Sequence, residues 1–253
     1  MRKLRIGFLL FLLISGGFFL FKFTHALFSS SSSSNNNVFS ASESFPTTIP
    51  SVTETVTISP SPTPSPALTN HLVISEVQIN GATASQDFVE LYNPTNSTVD
   101  LNGWKLRKRT STGSESSLVV IETGKSIPAY GFFLWSNNAN GYDSTIGADV
   151  SNGNTLAGDN SVALLKPDNT IIDQFAWGNG LNQLVELTAY PNNPGSGQSV
   201  ERKAYSSSTA SSLGSGGSDE LKGNGFDSDN NSNDFILRST SQPQNSNSPI
   251  ESP

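Results

Sequence analysis

The chain has 253 residues, 14 Lys/Arg against 21 Asp/Glu, no cysteine and two histidines, for a net charge of −7. The missing cysteine excludes disulfides, thiolate metal sites and a thiol nucleophile. His25 and His71 both lie ahead of the probable folded body, which excludes a Ser-His-Asp triad or a His-rich metal site within it. Carboxylate or lysine chemistry stays open.

The charge is unevenly spread. Residues 1–28 carry +4, residues 29–69 carry −2, and residues 70–253 carry −9. An acidic body is a poor partner for nucleic acid, whose non-specific binding rests on Lys and Arg neutralising phosphates.

In chain order, Arg2, Lys3 and Arg5 precede an apolar run from Ile6 to Phe21. This is the layout of a secretory signal, a positive region followed by a hydrophobic one. The run is slightly short of the roughly 20 apolar residues a spanning helix needs. Residues 1–28 are read as either a cleaved signal, with Ala26 at the cleavage site, or a retained membrane anchor. The basic residues come first, so either reading puts the body outside the cytoplasm, anchored or secreted.

Residues 29–70 are dominated by Ser, Thr, Asn and Pro and nearly lack aromatics. Such a segment cannot bury enough apolar surface to offset the entropy of ordering. Its Pro-Ser-Pro-Thr-Pro-Ser-Pro run favours extended polyproline II, about 3.1 Å per residue. The segment reads as a disordered stalk or spacer.

From residue 71 to residue 205, short apolar stretches recur between Gly, Asn, Asp and Pro: HLVISEVQIN, DFVELYN, STVDLNGWKLRKR, SLVVIETG, GFFLWSN, SVALLKPDNTIIDQFAWGNG and SVERKAY. No window of a dozen residues shows helical periodicity. Several strands at this spacing predict an all-β sandwich. Residues 161–177 read as a hairpin about a Lys-Pro-Asp-Asn turn, in which Pro pre-sets the first corner. Alternation puts Phe88, Glu90 and Tyr92 on one strand face and Val89 and Leu91 on the other. Core candidates are Trp104, Leu106, Phe132 or Phe133, Leu164 and Phe175. Residues 206–253 read as a flexible acidic segment, of which about 224–238 is a candidate to dock on the domain.

Three constellations carry possible chemistry. In DSDNNSND, Asp227, Asp229, Asn231 and Asp234 offer hard oxygen ligands that suit Ca²⁺, which takes about 6–8 of them. Ser232 and Arg238 stand where a helix-loop-helix calcium loop needs Gly and Glu, so the motif is not intact. The same residues also fit an Asx-rich turn. Calcium is the one cofactor considered. KLRKR, Lys105 to Arg109, is the basic cluster of the body. It suits an anionic partner or a solvated sheet face or edge. Glu76 and Glu90 lie on candidate neighbouring strands, and a glycosidase-like pair would need a cleft between them.

VISEVQIN and DFVELYNPTNSTVDLNGWKLR together resemble the opening of the lamin tail domain. The matching residues are Ile74, Glu76, Val77, Phe88, Glu90, Leu91, Asn93, Leu101, Gly103 and Trp104. IPAYGFFLWSN, GDNSVALLKPDNTIIDQFAWG, SVER and FDSDNNSNDFIL fit its later parts, so the likeness covers residues 72–237. It implies an immunoglobulin-like β-sandwich that acts as an interaction module with no enzymatic activity. The heptads of a lamin rod are missing from this chain. The expectation is therefore a non-enzymatic extracytoplasmic binding or structural module on a stalk. Its partner is an unspecified protein or glycan of the cell envelope, and the membrane is contacted only through an uncleaved N-terminus. The alternative is a carboxylate-dependent hydrolase or carbohydrate-processing enzyme assisted by Ca²⁺. The sequence leaves oligomeric state open.

Overall fold

Apolar residues at alternate positions, broken by Gly, Pro and Asx turns, give short strands throughout the computed structural model, which describes residues 69–253. The N-terminal apolar run and the Ser/Thr/Pro stalk lie outside the described residues. Among the described residues, no helix is long and apolar enough to cross a membrane.

The strands are β1 (Val73–Gln78), β2 (Phe88–Tyr92), β3 (Val99–Asp100), β4 (Lys105–Arg109), β5 (Glu115–Val120), β6 (Ser126–Ile127), β7 (Phe132–Asn137), β8 (Val150–Asn152), β9 (Ser161–Leu165), β10 (Ile171–Ala176), β11 (Ser199–Arg202) and β12 (Phe235–Arg238). Two single-turn α-helices, α1 (Tyr142–Ile146) and α2 (Asn231–Asp234), and a 3-10 turn at Ala139–Gly141 are inserted. A large sheet has the order β12-β11-β1-β2-β7-β8 and a small sheet the order β10-β9-β4-β5, with β3 and β6 as a separate ribbon. Pairing is antiparallel except between β7 and β8.

The two sheets enclose one main core. Ile74, Val77, Val89, Leu91, Phe133, Trp135 and Val200 meet Leu106, Leu118, Val162, Leu164 and Phe175 from the small sheet, with Trp104 beside them. Phe175 stacks on Phe235 with ring centroids 3.9 Å apart, joining β10 to β12 across the layers. This is the all-β sandwich expected from the strand pattern, in line with the immunoglobulin-like fold that the resemblance implies, with Phe133 rather than Phe132 pointing between the sheets. The β9–β10 hairpin turns at Asn169, where φ is 70°. Gly103 provides the other decisive turn. At φ +75° it lets Trp104 N–H close back on the Leu101 carbonyl at 3.0 Å and enter the core.

The outer face of the large sheet is buried too. Val73, Tyr92 and Phe132 form one cluster there, and Phe88, Leu134 and Tyr142 of α1 form another. Every residue of β1, β2 and β7 is therefore buried, although their sequences alternate. The cover comes from the C-terminal part of the chain, and its contacts extend beyond the 224–238 stretch that the sequence marks as a candidate to dock. Gln242 N donates to Glu76 (3.2 Å), Gln244 N to Glu90 (2.5 Å) and Glu251 N to the Tyr130 carbonyl (2.8 Å). Tyr92 Oη in turn donates to the Glu251 carbonyl at 2.5 Å. Composition misleads here because the segment is fixed by its backbone amides. Every non-proline residue has one, and apolar side chains are not needed.

Candidate functional site

The first constellation is assembled inside the sandwich. A bulge between Ile74 and Glu76 interrupts the β1–β2 register. The Ile74 carbonyl accepts from Arg202 Nε at 2.8 Å, and its N–H donates to Asp173 Oδ2. Arg202 lies on the inward parity of β11 and is fully buried. Its Nη2 donates to both oxygens of Asp173 at 2.9 and 2.8 Å, tying the large sheet to β10 of the small one. Its Nη1 lies 3.3 Å from Asp227 and 3.9 Å from Asp234, and its guanidinium carbon sits 4.5 Å above the Phe235 ring. Burial works against the guanidinium charge, yet Asp173, Asp227, Glu186 and Asp234 hold its pKa above the ordinary value. Burial pushes Glu186 up to about 9, with the negative charge of Asp173 adding to it, and burial raises Asp234 as well.

Of the four calcium candidates, Asp227 and Asp234 converge, with Glu186 as the third carboxylate; their ligand atoms lie within 4.8 Å of one another. The cation beside them is Arg202. Asp229 is exposed, at φ 55°, and its N–H donates to Asp227 Oδ1 (3.2 Å) in an Asx turn. Asp234 accepts from Ser228 N (3.0 Å), Ser228 Oγ (2.6 Å) and Asn230 N (3.1 Å). The Asn231 carboxamide accepts from Ala176 N at 3.0 Å and donates to the Gln174 carbonyl at 2.8 Å. It bonds the edge of β10 as a neighbouring strand would. The structure thus uses DSDNNSND as a clasp that closes the sandwich, and does not bring the four residues together as one ligand set.

The second constellation lies on the outer face of the large sheet. Register places Ile236, Glu201, Glu76, Glu90 and Leu134 in one row across five strands. Glu76 and Glu90 are each 2 % exposed. Glu76 accepts from Ser199 Oγ, and Glu90 from Ser75 Oγ (2.6 Å). Burial raises Glu76 to about 7 and lifts Glu90 well above the carboxylate range, where the neighbouring Glu76 charge adds to it. The pair is neighbouring, as the sequence suggested. The C-terminal backbone lies against it where a substrate would have to sit. Beside it is a cavity of about 150 Å³ bounded by Glu201, Leu213, Glu220, Asn224, Gln244 and Glu251.

Residues 65–179 match the family model described as Lamin Tail Domain. Over that stretch the chain is similar to the lamin tail domain family. No curated protein matches it. Among solved structures it is similar to a DUF4876 family protein from Bacteroides thetaiotaomicron VPI-5482, at 12 % identity and a TM-score of 0.45, over 73 % of this chain and 74 % of that one.

The matched stretch ends before β11, so Arg202, the clasp and β12 lie beyond it while completing the same large sheet. Arg202 and Asp173 escape a reading by motif. The available signal is parity. In SVER, Val200 and Arg202 share a face, so an arginine two residues from a core valine announces a buried cation.

The third constellation, KLRKR, is β4, a central strand of the small sheet and not an edge. Ile171, Leu165, Lys105 and Val120 form one in-register row on the outer face of that sheet. Arg107 and Arg109 follow at alternate positions on β4. Both meet Glu115, with Arg107 Nε 2.7 Å away but not aligned for a hydrogen bond, and Arg109 Nη2 at 2.9 Å. Lys105 Nζ donates to Asn169 Oδ1 at 2.7 Å. Leu184 packs over Ala163 and Leu165, while Val120 and Ile171 stay 53 % and 45 % exposed on either side. A groove of about 230 Å³ lies at the end of the sandwich between His71, Val99, Trp104, Lys166 and Ile172. Trp104 itself is 8 % exposed and belongs to the main core.

Proposed function

We propose that this lamin-tail-like domain is a non-enzymatic recognition module that meets its partner through the outer face of the small sheet. The supporting observation is the row Ile171–Leu165–Lys105–Val120. Two exposed aliphatic side chains flank a lysine there, next to Arg107 and Arg109, in a body that is otherwise strongly acidic. Apolar contact supplies affinity, and the local positive charge steers an anionic protein or glycan toward this face. The buried carboxylates take a structural part in this reading. Glu76, Glu90, Asp173 and Asp234 are occupied by backbone amides, serines or Arg202. Extracytoplasmic display follows from the basic N-terminus with its apolar run, and the Ser/Thr/Pro-rich segment acts as the stalk.

Capture from cell-envelope extract by the full-length protein, compared with a Val120→Glu/Ile171→Glu variant, tests the reading. A component retained by the wild type and lost by the variant supports it. Equal retention by both assigns recognition elsewhere. Turnover of a glycan or nucleotide substrate that disappears in Glu90→Gln would establish the hydrolase alternative instead.

A further inference from the structure

The C-terminal residues 239–253, STSQPQNSNSPIESP, cross the outer face of the large sheet with almost no apolar anchor. Their one large aliphatic side chain, Ile250, is 61 % exposed. The segment is seated by hydrogen bonds, and its backbone amides at Gln242, Gln244 and Ser246 are seated on carboxylates. Gln242 N donates to Glu76 (3.2 Å), Gln244 N to Glu90 (2.5 Å), and Ser246 N to Asp149 (3.0 Å). Within the strap, Gln244 Nε2 donates to Glu251 Oε1 at 2.6 Å. At its far end the strap is closed by Tyr92 Oη on the Glu251 carbonyl and by Gly223 N on the Ser252 carbonyl at 3.2 Å.

The charges beneath the strap do not balance. Glu76 on β1 and Glu90 on β2 are directly opposed in register, and Glu201 on β11 opposes Glu76 from the other side. Glu251 of the strap and Glu220 of the 206–226 segment face the same cavity. Asp149 lies just before β8. The phenols of Tyr92, Tyr130 and Tyr142 are the other titratable groups packed here. Against these carboxylates stand Arg238 of β12, whose Nη1 is already paired with Glu201, and, at the Asp149 end, Lys125, whose Nζ donates to the Asp149 carbonyl at 2.9 Å. Two opposed carboxylates, each 2 % exposed, cannot both ionise beside one committed arginine without water or a cation reaching them. In the closed state the pair therefore holds at least one proton.

We propose that residues 239–253 form a proton-held strap, seated while the Glu76–Glu90 pair keeps a proton and lifted when the pair ionises fully and draws in water. Lifting frees the Tyr92 hydroxyl and uncovers the two glutamates, an acidic face that the closed form hides. The direction follows from linkage. The closed state binds the proton more tightly than an open, hydrated pair, so closure is favoured at acid pH. It weakens as pH rises from the ordinary carboxylate range of about 4.5 toward about 7, where Glu76 titrates in the closed form. The amides of Gln242 and Gln244 favour the ionised form but do not outweigh burial.

Amide hydrogen exchange of the full-length protein, corrected for intrinsic rates and read at residues 242–246, tests the strap at pH 5 and pH 7.5. Protection there falls at least about tenfold on going to pH 7.5, since one proton released on opening changes the opening constant by up to roughly tenfold per pH unit. Core amides such as those of Leu91 and Trp135, which exchange through global unfolding, stay far more protected than residues 242–246 at both pH values, which separates local lifting of the strap from the global titration of Asp87 and Glu186. In Glu76→Gln/Glu90→Gln the fall is lost. If the double variant does not fold, Glu90→Gln alone reduces it. Constant protection at residues 242–246 in the wild type overturns the proposal, and so does an equal fall in the variants.

Discussion

Arg202→Met removes the guanidinium that joins the two sheets and leaves Asp173, Glu186, Asp227 and Asp234 around an apolar side chain. Arg202 and Asp173 are fully buried and share two hydrogen bonds of 2.9 and 2.8 Å, and the Ile74 carbonyl loses its donor as well. Removing one partner of a buried pair costs about 3–5 kcal/mol, chiefly because the other charge is left stranded. At roughly 2–4 °C per kcal/mol for a domain of this size, the melting temperature falls by roughly 6–20 °C. Thermal unfolding followed by circular dichroism at pH 7 measures it. Arg202→Met/Asp173→Asn recovers part of the loss, because the remaining amide no longer carries a charge while still accepting from Ile74 N. A single variant melting within about 2 °C of the wild type would refute the assignment of Arg202 as the central buried cation.

Two further outcomes follow from the same geometry. Asn231→Ala strips the edge of β10 of its carboxamide partner, leaving Ala176 N and the Gln174 carbonyl unmatched. Stability drops by about 1–3 kcal/mol, and the freed edge promotes self-association visible by size-exclusion chromatography; an unchanged melt and elution would sink the clasp. Stability also declines with pH. Glu76 and Asp87 are raised to about 7 and Glu186 to about 9, so the folded state binds more protons than the unfolded one above the ordinary carboxylate range. Their contribution is fully present below that range and is lost as pH climbs through 7 toward 9. A melting temperature that rises between pH 5 and pH 8 contradicts this sign.

Much of the sandwich is legible in the sequence because two-residue alternation and turn chemistry are local. The β9–β10 hairpin is announced by Lys166-Pro-Asp-Asn, and the inward parity of Trp104 and Leu106 follows from their spacing. Two parts are not legible, for different physical reasons. The strap is held through backbone N–H groups on Glu76, Glu90 and Asp149, and a Ser/Gln/Asn/Pro composition reads the same whether or not such acceptors await it. DSDNNSND uses the chemistry of a calcium loop, oxygen atoms converging at alternate positions. Whether these oxygens meet a metal or a guanidinium depends on Arg202, which arrives from a strand that local spacing does not connect to the motif. The β1 bulge, which opens Ile74 to both Arg202 and Asp173, leaves no trace in the pattern VISEVQ.

The account rests on a guanidinium filling the acidic centre of the sandwich. Nitrogen-15 NMR of the Arg202 Nε–H reads that directly. A sharp signal at pH 7 that exchanges slowly with water and does not move on adding millimolar Ca²⁺ is the predicted result. Rapid exchange, or a saturable Ca²⁺-dependent shift at Arg202, Asp227 and Asp234, would contradict it.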